Sequence, residues 1–364
     1  MAEEYMDVVY KLWESSWSED AVVWDRDLAY DPAKIQKIEH KGKYFSVSGR
    51  HQVHPSPQRT PVLFQAGTLK TGTAFAARHA EAVFMNPATI PLCKTQITAA
   101  REQAAAQGRD PSSLKFFPCI VPIIGRTPEE AQSKYEKAKS HGDVLGGLAQ
   151  FSGYTGIDMS LFPLDEPFAA SSLKGGAAIT AVLASFEASL EGGAPPWTPR
   201  LLGERMAMGG LHPSPVGSAE QVADFFENWV NETDCDGFNI AYITNPSSLE
   251  DIVELLVPEL QRRGMMWDDY AMPGGTFREN LLGHRHLAED HYGAGFKYGR
   301  DPGLVSNLEE NGAGKINGLE KASSKIDAGA ETKGEAVSTK GEVVTNGESK
   351  TNGEYTMKVV AASA

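Results

Sequence analysis

Residues 61–85, PVLFQAGTLKTGTAFAARHAEAVFM, compress a strand, a glycine turn, a helix and a second strand into almost the shortest span that can hold them. Residues 62–65 are a β-rich run, Gly67 ends it, residues 73–80 have helix-forming composition, and residues 82–85 are apolar again. That order dictates a βαβ unit and with it a parallel sheet. In such a turn the backbone N–H groups point outward and the helix N-terminus adds partial positive charge, so a phosphate fits there. An ordinary βα turn has the same composition, because small residues are common in turns. On these residues alone both readings stand.

The alternation continues downstream. The strand at 82–85 leads to a helix at 90–107 ended by Gly108, and a strand at 115–124 leads to a helix at 128–140. Thr127 is placed to cap that helix, with Pro128 in its first turn. A long insertion at 141–200 follows, with a helix expected near 177–190. A helix at 219–232, a strand at 237–243 and a helix at 249–263 close the series, with Gly264 at its end. Upstream, residues 3–17 place Tyr5, Val8, Val9, Leu12 and Trp13 at helical spacing. Residues 19–60 read as an irregular excursion with short strands at 35–39 and 44–47 around a KGKYF turn.

Net charge is −14, which argues against a nucleic-acid surface. No apolar run approaches the roughly 18 residues that span a membrane. Residues 1–17 carry acidic groups and do not read as a targeting peptide. Cys93, Cys119 and Cys235 form no CxxC pair and read as buried single thiols in a reducing, cytoplasmic setting. After Pro302 the composition turns to Gly, Lys, Glu, Ser, Thr, Asn and Ala with one aromatic, Tyr355, and approximate repeats such as TKGEAVSTKGE. Such a segment cannot offset its ordering entropy by burial. The expected division is therefore a domain at 1–300 and a disordered low-complexity tail at 301–364.

Ten ordered blocks carry a family resemblance: EEYMDVVYKLWESSW (3–17), HKGKYFSVSG (40–49), SPQRTPVLFQAGT (56–68), AARHAEAVF (76–84), GRTPEEA (125–131), SGYTGIDMSLFPLDEP (152–167), VGSAEQVADFF (216–226), DGFNIAY (236–242), VPELQRRG (257–264) and TFRENL (276–281). In these the chain resembles the luciferase-like, FMN-dependent monooxygenases of the nitrilotriacetate and dibenzothiophene-sulfone branch. The resemblance implies an α/β fold, the (β/α)8 TIM barrel of the bacterial-luciferase type. The four units here align with its second half, so the chain is expected to lack the first four strands and to be aggregation-prone alone. It also implies that Gly67, Thr68, Leu69 and Lys70 hold the FMN phosphate. The family usually has serine where Leu69 stands, which removes one side-chain donor. Other flavin contacts of the family, an Asn/Thr block and a His–Tyr pair, precede the EEYMDVVYKLW block and have no counterpart in this chain, so catalytic residues are not assigned.

The implied function is the monooxygenase component of a two-component system. It would take reduced FMN from a separate flavin reductase and use O2 to oxidise a small organic substrate by hydroxylation or C–N or C–S cleavage. The absence of a GxGxxG fingerprint agrees with a separate reductase. The alternatives are an inactive remnant or binding module, and another (β/α)8 enzyme with a phosphorylated ligand. A homo-oligomer is a further expectation. Phe151, Tyr154, Ile157, Met159, Leu161 and Phe162 of the insertion are candidates for an apolar lid. The His284, His286, His291 group lacks the HExxH pattern, and no metal is expected.

Overall fold

A computed structural model describes residues 1–67, 70–168 and 196–300. The expected helix near 177–190 and the expected disordered tail lie outside the described residues. Four parallel strands form the main sheet in the order β3 (Phe64–Ala66), β4 (Ala82–Met85), β5 (Lys115–Ile120), β8 (Asn239–Ile240). Its register runs Ala66, Phe84 and Phe117 across one row, and Cys119 opposite Asn239 in the next.

Helices α2 (Lys70–His79), α3 (Ile90–Ala106) and α7 (Ala219–Thr233) cover one face. The apolar residues of α7 fall at helical spacing, and Val222, Ala223, Phe226, Trp229 and Val230 meet Val83, Met85, Phe116, Ile120 and Ile240 of the strands. Ser218 and Gln221 start that helix with reciprocal side-chain and backbone hydrogen bonds. Thr89 and Thr127 cap α3 and α4 (Pro128–His141) in the same one-sided way, each followed by a proline in the first turn.

The single strand expected at 115–124 is two. Pro122 has no N–H to give, and the Val121 N–H turns aside to the Pro213 carbonyl at 2.9 Å. The chain then re-enters as β6 (Ile123–Gly125), which pairs in parallel with β7 (Val216–Ser218), a strand too short for sequence periodicity to reveal. The hairpin strands lie a few residues later than expected, as β1 (Ile38–Lys41) and β2 (Ser46–Gly49). Both oxygens of Glu4, on helix α1 (Ala2–Tyr10), take the Tyr44 N–H at 2.9 Å, and one takes the Phe45 N–H at 2.7 Å, which fixes the turn there.

Within the insertion, α5 (Val144–Thr155) packs on α6 (Pro199–Ala207) around a core of its own. Phe151, Ile157 and Met159 are buried in that core with Trp197, Leu202 and Met206, while Tyr154 and Leu161 face solvent. Of the six lid candidates, Phe151, Ile157 and Met159 thus pack within the insertion, with Phe162 against them. They serve the insertion's own packing, because a helix pair standing off the sheet must bury its apolar stripe against itself.

Candidate active site

The two ends of the sheet differ. At the N-terminal end, helix α8 (Phe277–Leu282) lies across the strands. The Phe277 ring lies parallel to that of Phe64, centroids 6.0 Å apart, and Phe64 continues the stack to Phe84 at 4.8 Å. Arg278 is fully buried and donates to both Glu81 oxygens at 2.7 and 2.9 Å, and to the carbonyls of Gln58, Thr60 and Pro61 at 2.8–3.0 Å. This end thus carries a buried ion pair beside a half-exposed aromatic stack.

The C-terminal end is built from glycines and underused polar groups. Gly67 follows β3 with φ +129°, a conformation side chains disfavour, and α2 begins three residues later. A Cβ at Gly72 would lie 3.0 Å from the Gly67 carbonyl, so the helix can approach the turn only because that position is bare. Gln65 gives its side-chain N–H to the Ala66 carbonyl at 2.9 Å, while its Oε1 is buried without a partner among the described residues. Across the sheet, Gly209 and Gly210 have φ +100° and +87°. A Cβ on Gly209 would stand 3.2 Å from Val121 and 3.6 Å from Ile243, so this loop lies against the ends of the β5 and β8 segments.

Of the four residues expected at the phosphate turn, Gly67 ends the strand and Lys70 opens the helix; Thr68 and Leu69 lie outside the described residues. Gly67 and the bare Gly72 let α2 begin close against the end of β3.

The histidines at 284–291 serve the scaffold. The ring nitrogens of His291 lie 3.0 Å from the His79 carbonyl and from the Gly293 N–H, and burial pushes its pKa down to about 3. His284 Nδ1 is 2.6 Å from the His286 carbonyl. Among the described residues, no group of three His, Cys, Asp or Glu side chains is placed to hold a metal. His79 links Tyr10 Oη at 3.1 Å to Glu3 at 2.7 Å, and that histidine holds the Glu3 carboxyl below its usual range. Cys119 faces away from the helices, and burial pushes its thiol up to about 11, leaving it unreactive at neutral pH.

A luciferase-like monooxygenase family model matches residues 1–233. The chain belongs to that family. Dimethyl-sulfide monooxygenase of Hyphomicrobium sulfonivorans is 40% identical over 286 residues, 78% of this chain and 58% of that one. The solved structure of DmoA from the same organism superposes with TM-score 0.73 at 38% identity, covering 82% of this chain and 63% of that one. Nitrilotriacetate monooxygenase component A of Aminobacter aminovorans is 36% identical over 286 residues, 77% and 61% of the two chains. A riboflavin lyase, RcaE, solved with modified FMN and riboflavin, has TM-score 0.70 at 34% identity over 81% of this chain and 64% of that one.

The luciferase-like chain thus spans about six-tenths of the length of the curated relatives it matches. Its fold neighbours are of the TIM-barrel type, and the aromatic face of its sheet corresponds to a barrel interior. In that fold, sites lie at the C-terminal ends of the strands. Sequence reasoning found the first glycine turn there and passed over the second. Its signal, GGLHPSP at 209–215, is a glycine pair followed by a half-buried histidine.

Proposed function

We propose that this chain acts as the flavin-dependent oxygenase of a two-component system, binding reduced FMN supplied by a separate flavin reductase and oxidising a small organic substrate with O2. The observation that carries the reading is the Gly67 turn, which opens a helix at the C-terminal end of a parallel sheet. Backbone N–H groups of residues 67–70, the Thr68 hydroxyl and the Lys70 charge would hold the FMN phosphate, with Leu69 contributing backbone alone. When bound, the reduced flavin supplies the electrons that activate O2.

The chain's own residues bind, orient and exclude water. Phe84 and Phe117, with ring centroids 6.2 Å apart, give that face of the sheet an apolar wall, which the half-exposed Phe277 ring extends through Phe64. An apolar wall suits an uncharged organic substrate, with hydroxylation or C–S or C–N cleavage as the outcome. No GxGxxG dinucleotide turn occurs in the sequence, which supports delivery of reduced flavin from a partner.

Fluorescence titration with FMN and with riboflavin, which lacks the phosphate, tests the reading. FMN should bind the tighter of the two. Equal binding of the two would remove the phosphate assignment. Displacement of FMN by a sugar phosphate would point to a phosphorylated substrate instead.

A further inference from the structure

Residues 22–30 form a small hairpin outside the main sheet, and much of its surface is apolar. Val22 and Tyr30 bridge in antiparallel fashion, and the Asp25 N–H closes the tip on the Leu28 carbonyl at 2.9 Å. The N–H groups of Val23 and Trp24 both go to the single Ala29 carbonyl at 3.0 Å, which makes a bulge. A bulge re-aims a side chain. Here it goes with Trp24 at φ +51°, in the left-handed region that bulky side chains rarely adopt. The indole is 69% exposed, its ring perpendicular to that of His54 with centroids 4.7 Å apart. Val23, Leu28 and Tyr30 of the same hairpin are exposed with it, as is Val53, which precedes His54. None of these five belongs to an edge strand of the sheet. The foot of the hairpin is already tied: Trp17 is buried with Ala21 and Ile35, and the Asp31 N–H meets the Ala21 carbonyl at 2.7 Å. Folding thus gains little from the strained backbone, which presents a large ring to water. Such a feature marks contact with another molecule.

The charges at the tip say which molecule. Asp25, Arg26 and Asp27 are exposed, and none has an ion pair or side-chain hydrogen bond among the described residues, whereas Asp20 is already paired with Lys34. A triplet of alternating sign complements itself. A two-fold axis beside Arg26 sets that guanidinium against an aspartate of the second copy and makes the pair twice. A uniformly basic partner would instead leave Arg26 facing like charge. At net charge −14 two copies repel at long range, so they can meet only where charge is mixed and apolar area is at hand. We propose that this hairpin is a dimerisation surface, where two copies of the chain meet through Val23, Trp24, Leu28 and Tyr30 with Arg26 paired across the axis.

Sedimentation equilibrium of the full chain from about 1 to 100 µM is the test, a range suited to a small contact. The parent should show monomer and dimer and nothing larger, because a two-fold contact closes at two copies. Trp24→Gly removes the ring and suits the left-handed backbone. It should raise the dimer dissociation constant about a hundredfold, since the contact loses the ring twice, while the melting temperature stays within about 3 °C of the parent. Arg26→Asp alone, and Asp25→Lys combined with Asp27→Lys, should each give a monomer. An equimolar mixture of those two variants should regain a dimer, because opposite charges then meet. A monomeric parent, a ladder of larger species, or a dimer indifferent to Trp24→Gly would each overturn the proposal. So would charge variants that stay monomeric when mixed.

Discussion

Arg278 shows how much a single side chain can hold. It has no exposed surface, and it spans Glu81 and three carbonyls of the segment leading into β3. Arg278→Met would leave the Glu81 carboxylate buried and unpaired, at a cost of about 3–5 kcal/mol. The double variant Arg278→Met, Glu81→Leu should recover much of it, and urea unfolding of the pair against the parent measures both. His291 acts through protonation. It is neutral when folded, with its pKa near 3, against about 6.5 in an unfolded chain. Between those values the unfolded state binds the extra proton, so stability falls as pH drops, by up to about 1.4 kcal/mol per unit. His291→Asn retains an acceptor for Gly293 and should flatten that part of the pH profile in urea melts. At the turn, Gly67→Val should weaken FMN binding about tenfold or more, because φ +129° excludes a β-branched residue. Leu69→Ser should strengthen it by about 0.5–1.5 kcal/mol, one added hydrogen bond. Fluorescence titration at fixed salt reads both, and a parent-like Gly67→Val would make the turn purely structural. Gly67 was legible because a strand, a glycine and a helix former in sequence admit few conformations. The loop at 209–215 was not, since its place depends on Val121 and Ile243 lying beside Gly209, which no local pattern encodes.

At the scale of elements, helices were the most legible. Their caps and periodicity are local properties: α4 starts after Thr127, the cap expected from the sequence, and α3 starts at Ile90 as its composition predicts. Strands were less so. The break at Pro122 and the β6–β7 pair are set by a partner nearly a hundred residues away. The packing of α5 on α6 was not legible for the same reason, since apolar residues in a long loop look alike whether they cover a ligand or each other. Where these two helices cross, a Cβ at Gly147 would clash with the Gly203 carbonyl. Gly147→Ala should therefore force the helices apart and cost about 1–3 kcal/mol. Because α5 and α6 have a core separate from the sheet's, hydrogen exchange should accelerate in those two helices while β4 and β5 keep their protection. Equal acceleration in both would mean that the two cores unfold as one.

For the whole molecule, four parallel strands with their helices were readable from alternation, and the family resemblance supplied the barrel type to which they belong. Residues 303–364 have too little apolar character to contribute folding free energy, so deleting them should leave the melting temperature within about 1–2 °C of the parent. A larger drop would mean that the segment docks. The apolar face of α1 has the opposite character. Met6, Val9 and Tyr10 are buried against Leu287, Ala294 and Phe296, and Tyr292 Oη donates to Asp7 from 285 residues away. A ribosome adds about 5–20 residues per second, so α1 leaves the exit tunnel roughly 15–60 s before the surface it needs. Throughout synthesis its hydrophobic stripe is a free ligand for chaperones, and translation speed across the intervening residues sets how long that exposure lasts.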